Sequence, residues 1–310
     1  MKALAAPSYG PVDRLVVRDV PDRAPGPAEI LILIRAAALN PLDVKLVTGQ
    51  LSEMFPVEHP FVPGMDATGV VAATGAGVSR FTTGDEVIVH TGAASGTVAE
   101  YVLTADGPHL VHRPPSLDPV RAAALPTAAM TAHCVLAAAG IQPDDTLLVV
   151  GATGGVGAYV VQLAAKSGAR VLATAAPDDA GYIRGLGASA AINHTVSDTY
   201  AEARRLCPQG VDVVVDLINT GPELKPAAHA LRPGGRLIST LYGPQEVNGA
   251  TVVYVRMDAA VGDLAKQAQR AANGEISVEV AATYPFDRGA EAMRDLAAGR
   301  YTRGKIIVTF

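Results

Sequence analysis

Short apolar runs and longer amphipathic stretches follow one another along this chain, and their arrangement changes near residue 146. Before that point the apolar runs are brief and are separated by Pro and Gly, a pattern typical of strands and turns. The strands predicted there are Glu29–Arg35, Gly69–Ala73 and Glu86–His90. After it, apolar strands alternate with helical stretches, which predicts a parallel, doubly wound α/β sheet.

The second region contains the clearest alternation. Its predicted strands begin at Thr146 and continue with Arg170–Ala175, Ala190–Asn193, Val211–Asp216 and Gly235–Thr240. The helices predicted between them include Tyr182–Leu186, Asp198–Leu206 and Glu223–Leu231. The ligand of such a sheet lies at the carboxyl ends of its strands.

The chain is long enough for two domains. An alanine-rich segment, Ala122–Gly140, predicts one long helix or a helix pair that leads into the second region. The tail contains two predicted helices and two predicted strands, which are Ala259–Asn273, Val278–Ala281, Arg288–Ala298 and Lys305–Phe310. We expect this tail to pack back on the N-terminal domain, giving a discontinuous first domain (1–121 and 259–310) and a continuous second domain (122–258).

A glycine-rich turn follows the strand at Thr146 and precedes an amphipathic helix. It has the pattern A-x-G-x-x-G over Ala152, Gly154 and Gly157. In a dinucleotide site the second position lets the backbone approach a pyrophosphate, and the third lets the helix pack closely on the strand. The amides at the helix start then face the anion. The residues assigned to this turn are Ala152, Thr153, Gly154, Gly155, Val156 and Gly157.

Composition narrows the functional classes. Of the 310 residues, 49% are hydrophobic and 18% are charged, and the net charge is −5, which argues against nucleic acid as a partner. No apolar run reaches the roughly 20 residues of a membrane span, and the first residues lack the apolar core of a signal peptide. We therefore expect a cytoplasmic protein whose main partner is not a nucleic acid. Cys134 and Cys207 form no CxxC pair, so we expect two buried free thiols.

Several separated motifs resemble, in order, the zinc-independent quinone oxidoreductase branch of the medium-chain dehydrogenase/reductase superfamily. The matching segments are Asn40–Lys45 (N-P-L-D-V-K), Val62–Asp66 (V-P-G-M-D), Gly69–Val71, Phe81–Asp85, Gly96–Tyr101 (G-T-V-A-E-Y), Ala123–Pro126, Thr131–Ala132 and Gly304–Val308. The resemblance implies a GroES-like substrate domain beside a Rossmann domain, a nicotinamide cofactor, hydride transfer at a site between the domains, and a homodimer.

The resemblance also bears on metal content. Where zinc-dependent relatives place Cys, His and Cys, this chain aligns Asn40, Met65 and Thr127, which cannot replace that ligand set. Without zinc to stabilise an alkoxide, alcohol oxidation loses its main electrostatic support. Reduction of a quinone or an α,β-unsaturated ketone (enone) is the activity implied. Two alternatives remain open: a nucleotide-binding sensor or structural protein without turnover, and a pathway-specific enoyl reductase.

The resemblance suggests roles for individual residues near the nicotinamide. Asn40 would hydrogen-bond the substrate carbonyl, the nicotinamide or its ribose, or else be an N-cap before Pro41. Asp43 would orient its neighbours, and Thr131 would contact the nicotinamide or pack within a helix. No general acid is evident; the candidates by chemistry alone are Tyr9, His90, His133 and Tyr242.

Cofactor choice depends on the end of the second strand of the nucleotide domain. Ala175, after Thr174, stands where an NAD enzyme places an acidic residue, and His194 aligns near a 2′-phosphate. Both favour NADPH over NADH, whereas Asp178 and Asp179 oppose it unless they face away. Further cofactor contacts are assigned to Leu241, Tyr242 and Lys305, the last of which is alternatively a solvated edge residue.

Overall fold

The chain divides into two units of continuous contact, each described here by itself. A computed structural model describes residues 1–92, 96–241, 243–258 and 262–310. The first unit comprises Met1–Thr127 and Asp263–Phe310, and the second comprises Ala128–Gly262. Against the predicted domain limits of 121 and 258, these divisions fall six and four residues later along the chain.

The first unit is built mainly from antiparallel strands. Its strands are β1 (Lys2–Ala5), β2 (Val16–Asp19), β3 (Glu29–Ala38), β4 (Asp66–Thr74), β5 (Glu86–His90), β6 (Tyr101–Ala105), β7 (Leu110–His112), β15 (Val280–Pro285) and β16 (Lys305–Thr309). Its α-helices are α1 (Pro41–Thr48), α2 (Pro119–Ala123), α7 (Leu264–Ala272) and α8 (Gly289–Ala297), and short 3₁₀ turns lie at Val12–Arg14 and Phe286–Arg288.

Strand β3 is the centre of this unit. Its side chains alternate between the two faces of the sheet, and Ile30, Ile32 and Ile34 are fully buried in the core. The sheet order is β15-β16-β3-β4-β5-β7, and β6 also pairs with β3. The tail contributes a strand to this sheet, because β16 pairs antiparallel with β3 through Ile307 and Ala38.

The second unit contains the predicted alternation of strands and helices. Its strands are β8 (Thr146–Val150), β9 (Arg170–Ala175), β10 (Ala190–Asn193), β11 (Val211–Asp216), β12 (Leu231–Ser239), β13 (Glu246–Val247) and β14 (Ala250–Tyr254). Its helices are α3 (Pro126–Ala139), which begins at the end of the first unit, α4 (Gly155–Lys166), α5 (Ala180–Gly185) and α6 (Thr199–Leu206).

The sheet of the second unit has the order β10-β9-β8-β11-β12-β14-β13 and is parallel except for β13. The chain leaves β8 for β9 on one side and later returns to β11 on the other. The carboxyl end of β8 is therefore a topological switch point, where open α/β sheets bind their ligands. The predicted doubly wound sheet is confirmed.

Two predicted elements differ in the structure. Glu223–Leu231 is not an α-helix: Gly221–Ala230 is a 3₁₀ segment, and Pro226 inside it lacks the N–H that an α-helix would need. The predicted strand Val278–Ala281 lies later, at Val280–Pro285. The alanine-rich segment is a helix pair, α2 and α3, interrupted before Pro126. The start of the predicted helix Ala259–Asn273 falls on 259–261, outside the described residues.

Candidate active site

Asp66, at the start of β4, is the centre of a buried polar cluster in the first unit. Strand register places it opposite Ala38 on β3 and opposite His90 on β5. Its carboxylate is fully buried and accepts hydrogen bonds through both oxygens. Oδ2 accepts from Nδ2 of Asn40 at 2.9 Å, and Oδ1 accepts from Nδ1 of His90 at 2.9 Å. Oδ1 also accepts from the backbone N and the Oγ1 of Thr127, at 3.1 and 2.7 Å.

Lys305, at the start of β16, brings a buried cation to the same cluster. Its Nζ donates to Oδ1 of Asn40 at 2.5 Å and lies 3.9 Å from Oδ2 of Asp66. The residue is only 6% exposed, so the alternative of a solvated edge residue is wrong. Burial lowers the pKa of Lys305, and the negative charges of Asp66 and Asp43 oppose that shift.

Asp43 ties the start of α1 to the loop before β4. Its Oδ2 accepts from the backbone N of Asn40 at 2.7 Å, and its Oδ1 accepts from the backbone N of Gly64 at 2.8 Å. Burial raises the pKa of Asp43 to about 6, although these two hydrogen bonds favour the charged form. Asp43 therefore holds the backbone on which Asn40 is placed.

Electrostatics distinguish the two carboxylates of the cluster. Burial acts to raise the pKa of Asp66, but the hydrogen bond from His90 and the charge of Lys305 outweigh it, so that pKa lies below its ordinary value. Asp66 is thus an anion stabilised by its donors, whereas Asp43 is the carboxylate more easily protonated.

The residues aligned with zinc ligands do not form a metal site. The amide of Asn40 and the hydroxyl of Thr127 both donate to Asp66, and Met65 is buried. Over the described ranges, no group of three or more His, Cys, Asp or Glu side chains is arranged to hold a metal ion. The donor set present here does not fit zinc, which prefers thiolate and imidazole ligands.

The glycine-rich turn of the second unit joins β8 to α4. A Cβ on Gly157 would lie 2.2 Å from the carbonyl O of Gly151, so only glycine lets the helix approach the strand this closely. Gly154, the N-cap of α4, differs because its nearest neighbour would be that same oxygen at 3.5 Å. The Oγ1 of Thr174 accepts from the backbone N of Gly151 at 3.0 Å and thereby anchors the turn to β9.

The other residues of the turn differ in their exposure to solvent. Thr153, Gly155 and Val156 are partly exposed, and Ala152 is buried. The first α-helical hydrogen bond runs from the N of Ala158 to the O of Gly154 at 3.0 Å. The backbone amides of 155–157 precede it and form the helix N-terminus, the part of a helix that attracts anions.

The remaining predicted residues are distributed over the second unit. Ala175 ends β9 and is buried, and His194 is exposed directly after β10. Leu241 follows β12, where its N donates to Oγ of Ser239 at 3.0 Å. Thr131 is 6% exposed on α3. Tyr242 lies outside the described residues.

The two acidic residues that oppose NADPH differ in exposure. Asp178 is exposed and Asp179 is 6% exposed in the 3₁₀ turn Pro177–Asp179 that precedes α5. Asp179 is therefore buried in the protein, and Asp178 is the exposed one of the two acidic residues that follow β9.

The central residue of the cluster was missed by sequence reasoning. Asp66 belongs to the V-P-G-M-D motif but received no role, and His90 was a candidate only by its chemistry. The polar pairing of Asp66 with His90 is set by strand register across 24 residues of sequence. A polar residue on or beside each of two neighbouring predicted strands was the sequence feature that could have indicated this pair.

A second buried network shapes the loop after β11. Oδ1 of Asp216 accepts from the backbone N of Ile218 and of Asn219, at 3.0 and 2.9 Å. Its Oδ2 accepts from the hydroxyl of Tyr200 at 2.8 Å and from Nδ2 of Asn219 at 2.9 Å. Asn219 thus stabilises this loop through its side chain.

Known protein families match parts of both units. The family described as "Alcohol dehydrogenase GroES-like domain" matches residues 26–115, and the family described as "Zinc-binding dehydrogenase" matches residues 186–308. The chain is also 33% identical to a 2-methylene-furan-3-one reductase of Solanum lycopersicum, over 99% of this chain and 79% of that protein. The chain belongs to the quinone oxidoreductase branch of the medium-chain dehydrogenase/reductase superfamily.

Other members of this superfamily are similar to different extents. A chloroplastic quinone-oxidoreductase homolog of Spinacia oleracea is 40% identical over 182 residues, which is 56% of this chain. That match spans 54% of the relative, so the chain covers about half the length of this curated protein. A solved structure titled as an NAD-dependent alcohol dehydrogenase superposes with a TM-score of 0.89 at 30% identity, over 100% of both chains.

These matches confirm the fold expected for this branch of the superfamily, a GroES-like unit with a Rossmann unit. In the described part of the chain, no helix is both long enough and apolar enough to cross a membrane.

Proposed function

We propose that this protein is an NADPH-dependent oxidoreductase that delivers a hydride to a quinone or an enone without a metal ion. The observation that carries the proposal is the cluster around Asp66. The side chains at two of the zinc-ligand positions, Asn40 and Thr127, are engaged with a carboxylate instead of being arranged around a cation. A quinone or enone delocalises the incoming charge itself and does not need a Lewis acid for that purpose.

The names of the relatives support the acceptor class. One is a quinone-oxidoreductase homolog, and another is a 2-methylene-furan-3-one reductase, a name that describes a methylene group conjugated with a ketone. The solved alcohol dehydrogenase and the zinc-binding family description are the competing indication. A test of the proposal therefore has to include alcohol oxidation.

The glycine-rich turn fits a dinucleotide. A side chain on Gly154 would meet no closer protein atom than 3.5 Å, so the space beside it is open to a ligand. In the proposed complex the amides of 155–157 bind the pyrophosphate, and Gly154 allows its close approach. The bound cofactor would supply the hydride.

The preference for NADPH is part of the proposal. Ala175 ends β9 without the carboxylate that would bind ribose hydroxyls and repel a 2′-phosphate. His194 is exposed after β10, the strand that pairs with β9, and its imidazole is available to a phosphate. Replacing it in His194→Ala should weaken NADPH binding more than NADH binding; equal losses would remove His194 from phosphate recognition.

We assign the predicted residues near the reaction as follows. One amide hydrogen of Asn40 is used by Asp66, and the second is left to bind the carbonyl of the acceptor. Asp43 keeps Asn40 in place through the backbone, and Thr131 contacts the nicotinamide region. Lys305 supports Asn40 from the opposite side of its amide through Oδ1. Cytoplasmic location and homodimerisation stay predictions.

The deciding experiment is a titration of the purified protein with NADPH and NADH, followed by turnover with 1,4-benzoquinone, a simple enone and a panel of alcohols. Tight NADPH binding with quinone or enone reduction supports the proposal. Rapid alcohol oxidation by metal-free protein contradicts it, and binding without turnover would instead support a sensor.

A matched pair of variants tests the turn. Gly154→Val should abolish or strongly weaken nucleotide binding, because the side chain would occupy the space of the pyrophosphate. Gly181→Val is the control, since a Cβ there meets no atom within 4 Å and the residue lies on α5. Equal nucleotide affinity in both variants would remove Gly154 from the binding site.

A further inference from the structure

His90 differs from an ordinary buried histidine in how its two ring nitrogens are used. Nδ1 donates to the anionic Oδ1 of Asp66 at 2.9 Å, with Oγ1 of Thr127 3.2 Å away. Nε2 has no hydrogen-bond partner in the described part of the chain. The residue as a whole is 9% exposed.

His59 of the same unit provides the contrast. Its Nδ1 pairs with the carbonyl O of Ala6 at 3.3 Å, and its ring packs edge-on against Tyr9. Its Nε2 is shielded from solvent. The ring of His59 is held by a neutral carbonyl and an aromatic ring, whereas the ring of His90 is held by a carboxylate, and its Nε2 has no hydrogen-bond partner among the described residues. The latter is the arrangement of a histidine that transfers protons.

The same carboxylate also orients Asn40. Oδ1 of Asp66 holds His90, and Oδ2 holds Nδ2 of Asn40. The imidazole and the amide are thus fixed relative to each other by one rigid group. If Asn40 binds the carbonyl of the acceptor, the acceptor is bound to a group that is held by the same carboxylate as the imidazole.

We propose that His90 is the proton donor of enone reduction and that Asp66 is its positioning residue; this inference rests on the proposed function. The enone accepts a hydride at its β-carbon, from the nicotinamide cofactor, and becomes an enolate. The α-carbon of the enolate then takes the proton from Nε2 of His90. A C–H bond forms, the N–H bond breaks, and its electron pair stays on the imidazole, which regains a proton from water.

The comparison of two acceptors isolates this step. A quinone that has accepted a hydride is a hydroquinone anion, whose oxygen takes its proton directly from water. Enone turnover should therefore depend on His90 much more than quinone turnover does. In His90→Gln we expect enone kcat to fall by about 100-fold or more, the usual contribution of a general acid, and benzoquinone kcat to fall by a much smaller factor.

The position of a deuterium label gives a readout that a structural role would not move. In D₂O, an α-methyl enone should gain deuterium on one face of its α-carbon when the wild type reduces it. His90→Gln should place deuterium on both faces, because water then supplies it. His112→Gln is the matched control, since that histidine is exposed on β7 and outside the cluster. In His90→Ala, added imidazole should restore part of the enone activity.

The results separate a failure of the proton-donor role from a failure of the proposed function. Unchanged enone turnover with single-face labelling in a folded His90→Gln protein would overturn the proton-donor role and leave the proposed function standing. Labelling of both faces by the wild type itself would do the same, and that measurement does not depend on a variant that folds. A wild type that reduces neither acceptor would overturn the proposed function together with this inference.

Discussion

The ammonium of Lys305 donates to the side-chain carbonyl of Asn40, and this contact joins two residues that are 265 positions apart in the chain. Strand β16 delivers the lysine beside β3, and helix α1 begins directly after the asparagine. The amide of Asn40 is thereby held from both ends, by a cation at its oxygen and by Asp66 at its nitrogen. Its orientation is fixed before any substrate binds, which is a requirement for precise positioning.

Removal of this cation should strongly destabilise the first unit. Lys305→Met preserves much of the side-chain volume but leaves the buried carboxylates without their ammonium, and breaking a buried charge pair typically costs about 3 to 5 kcal/mol. We expect a loss of this size in the free energy of unfolding, measured by urea denaturation. Lys2→Met is the control, because the pair of Lys2 with Asp19 is on the surface and should contribute at most about 1 kcal/mol. Similar losses in the two variants would contradict the assigned role of Lys305.

Asp43 should make stability depend on pH between 5 and 7. Its pKa is raised from 3.8 to about 6 in the folded protein, so in this window the native state binds more protons than the unfolded state. Stability therefore falls as pH rises through 6, by roughly 1 to 1.5 kcal/mol between pH 5 and pH 7. Asp43→Asn has no titrating group there. The free energy of unfolding of the wild type, minus that of the variant, should decrease over the window; parallel curves would refute the shift.

Gly157 should be required for folding of the second unit even without a ligand. In Gly157→Ala the new Cβ would lie 2.2 Å from the O of Gly151 and 2.7 Å from the Cα of Ala152, both backbone atoms that cannot move independently. Overpacking of this kind costs about 1 to 3 kcal/mol, and we expect at least that loss in thermal or urea denaturation. Gly181→Ala, in open space on α5, should be neutral or stabilising by up to about 1 kcal/mol. A stable Gly157→Ala protein would show that α4 can move away from β8.

The two thiols should react at different rates. Cys134 is 4% exposed on α3, and burial raises its pKa, so its reactive thiolate is both rare and inaccessible. Cys207, after α6, is half-buried, with Sγ 3.1 Å from the O of Gly210. With an aromatic disulfide reagent we expect one fast thiol in the native protein and a second only after unfolding. Cys207→Ser should abolish the fast phase, and its persistence would reverse the assignment.

The fold could be predicted because short stretches of the sequence indicate its strands, turns and helices. The five-residue apolar run at Thr146–Val150, the glycine turn and the following helix appear in the structure in the predicted order. The strand at Val211–Asp216 has its predicted bounds. The predicted helix Glu223–Leu231 does not form as an α-helix, because Pro226 inside it lacks the N–H that an α-helix needs.

The candidate site was only partly predictable, because its contacts are not local. Asn40 and Asp43 were found through a motif, but the group that organises them, Asp66, is 26 residues from Asn40 and opposite His90 by strand register. Lys305 was predicted to be a cofactor contact or a solvated edge residue, and its place beside Asp66 was not predicted. Its burial follows from the pairing of β16 with β3, and a one-residue slip in that register would turn it to the other face of the sheet.

The interrupted course of the first unit has a consequence for biosynthesis. Residues 128–262 are translated between the two parts of that unit, so the Rossmann unit leaves the ribosome complete while its neighbour still lacks β15 and β16. Until Lys305 emerges, Asp66 and Asp43 lack its ammonium, and the end of β3 at Ala36–Ala38 lacks its partner β16. Nascent chains at this stage expose a strand edge open to intermolecular pairing, and we expect chaperones that recognise such edges to hold them during translation.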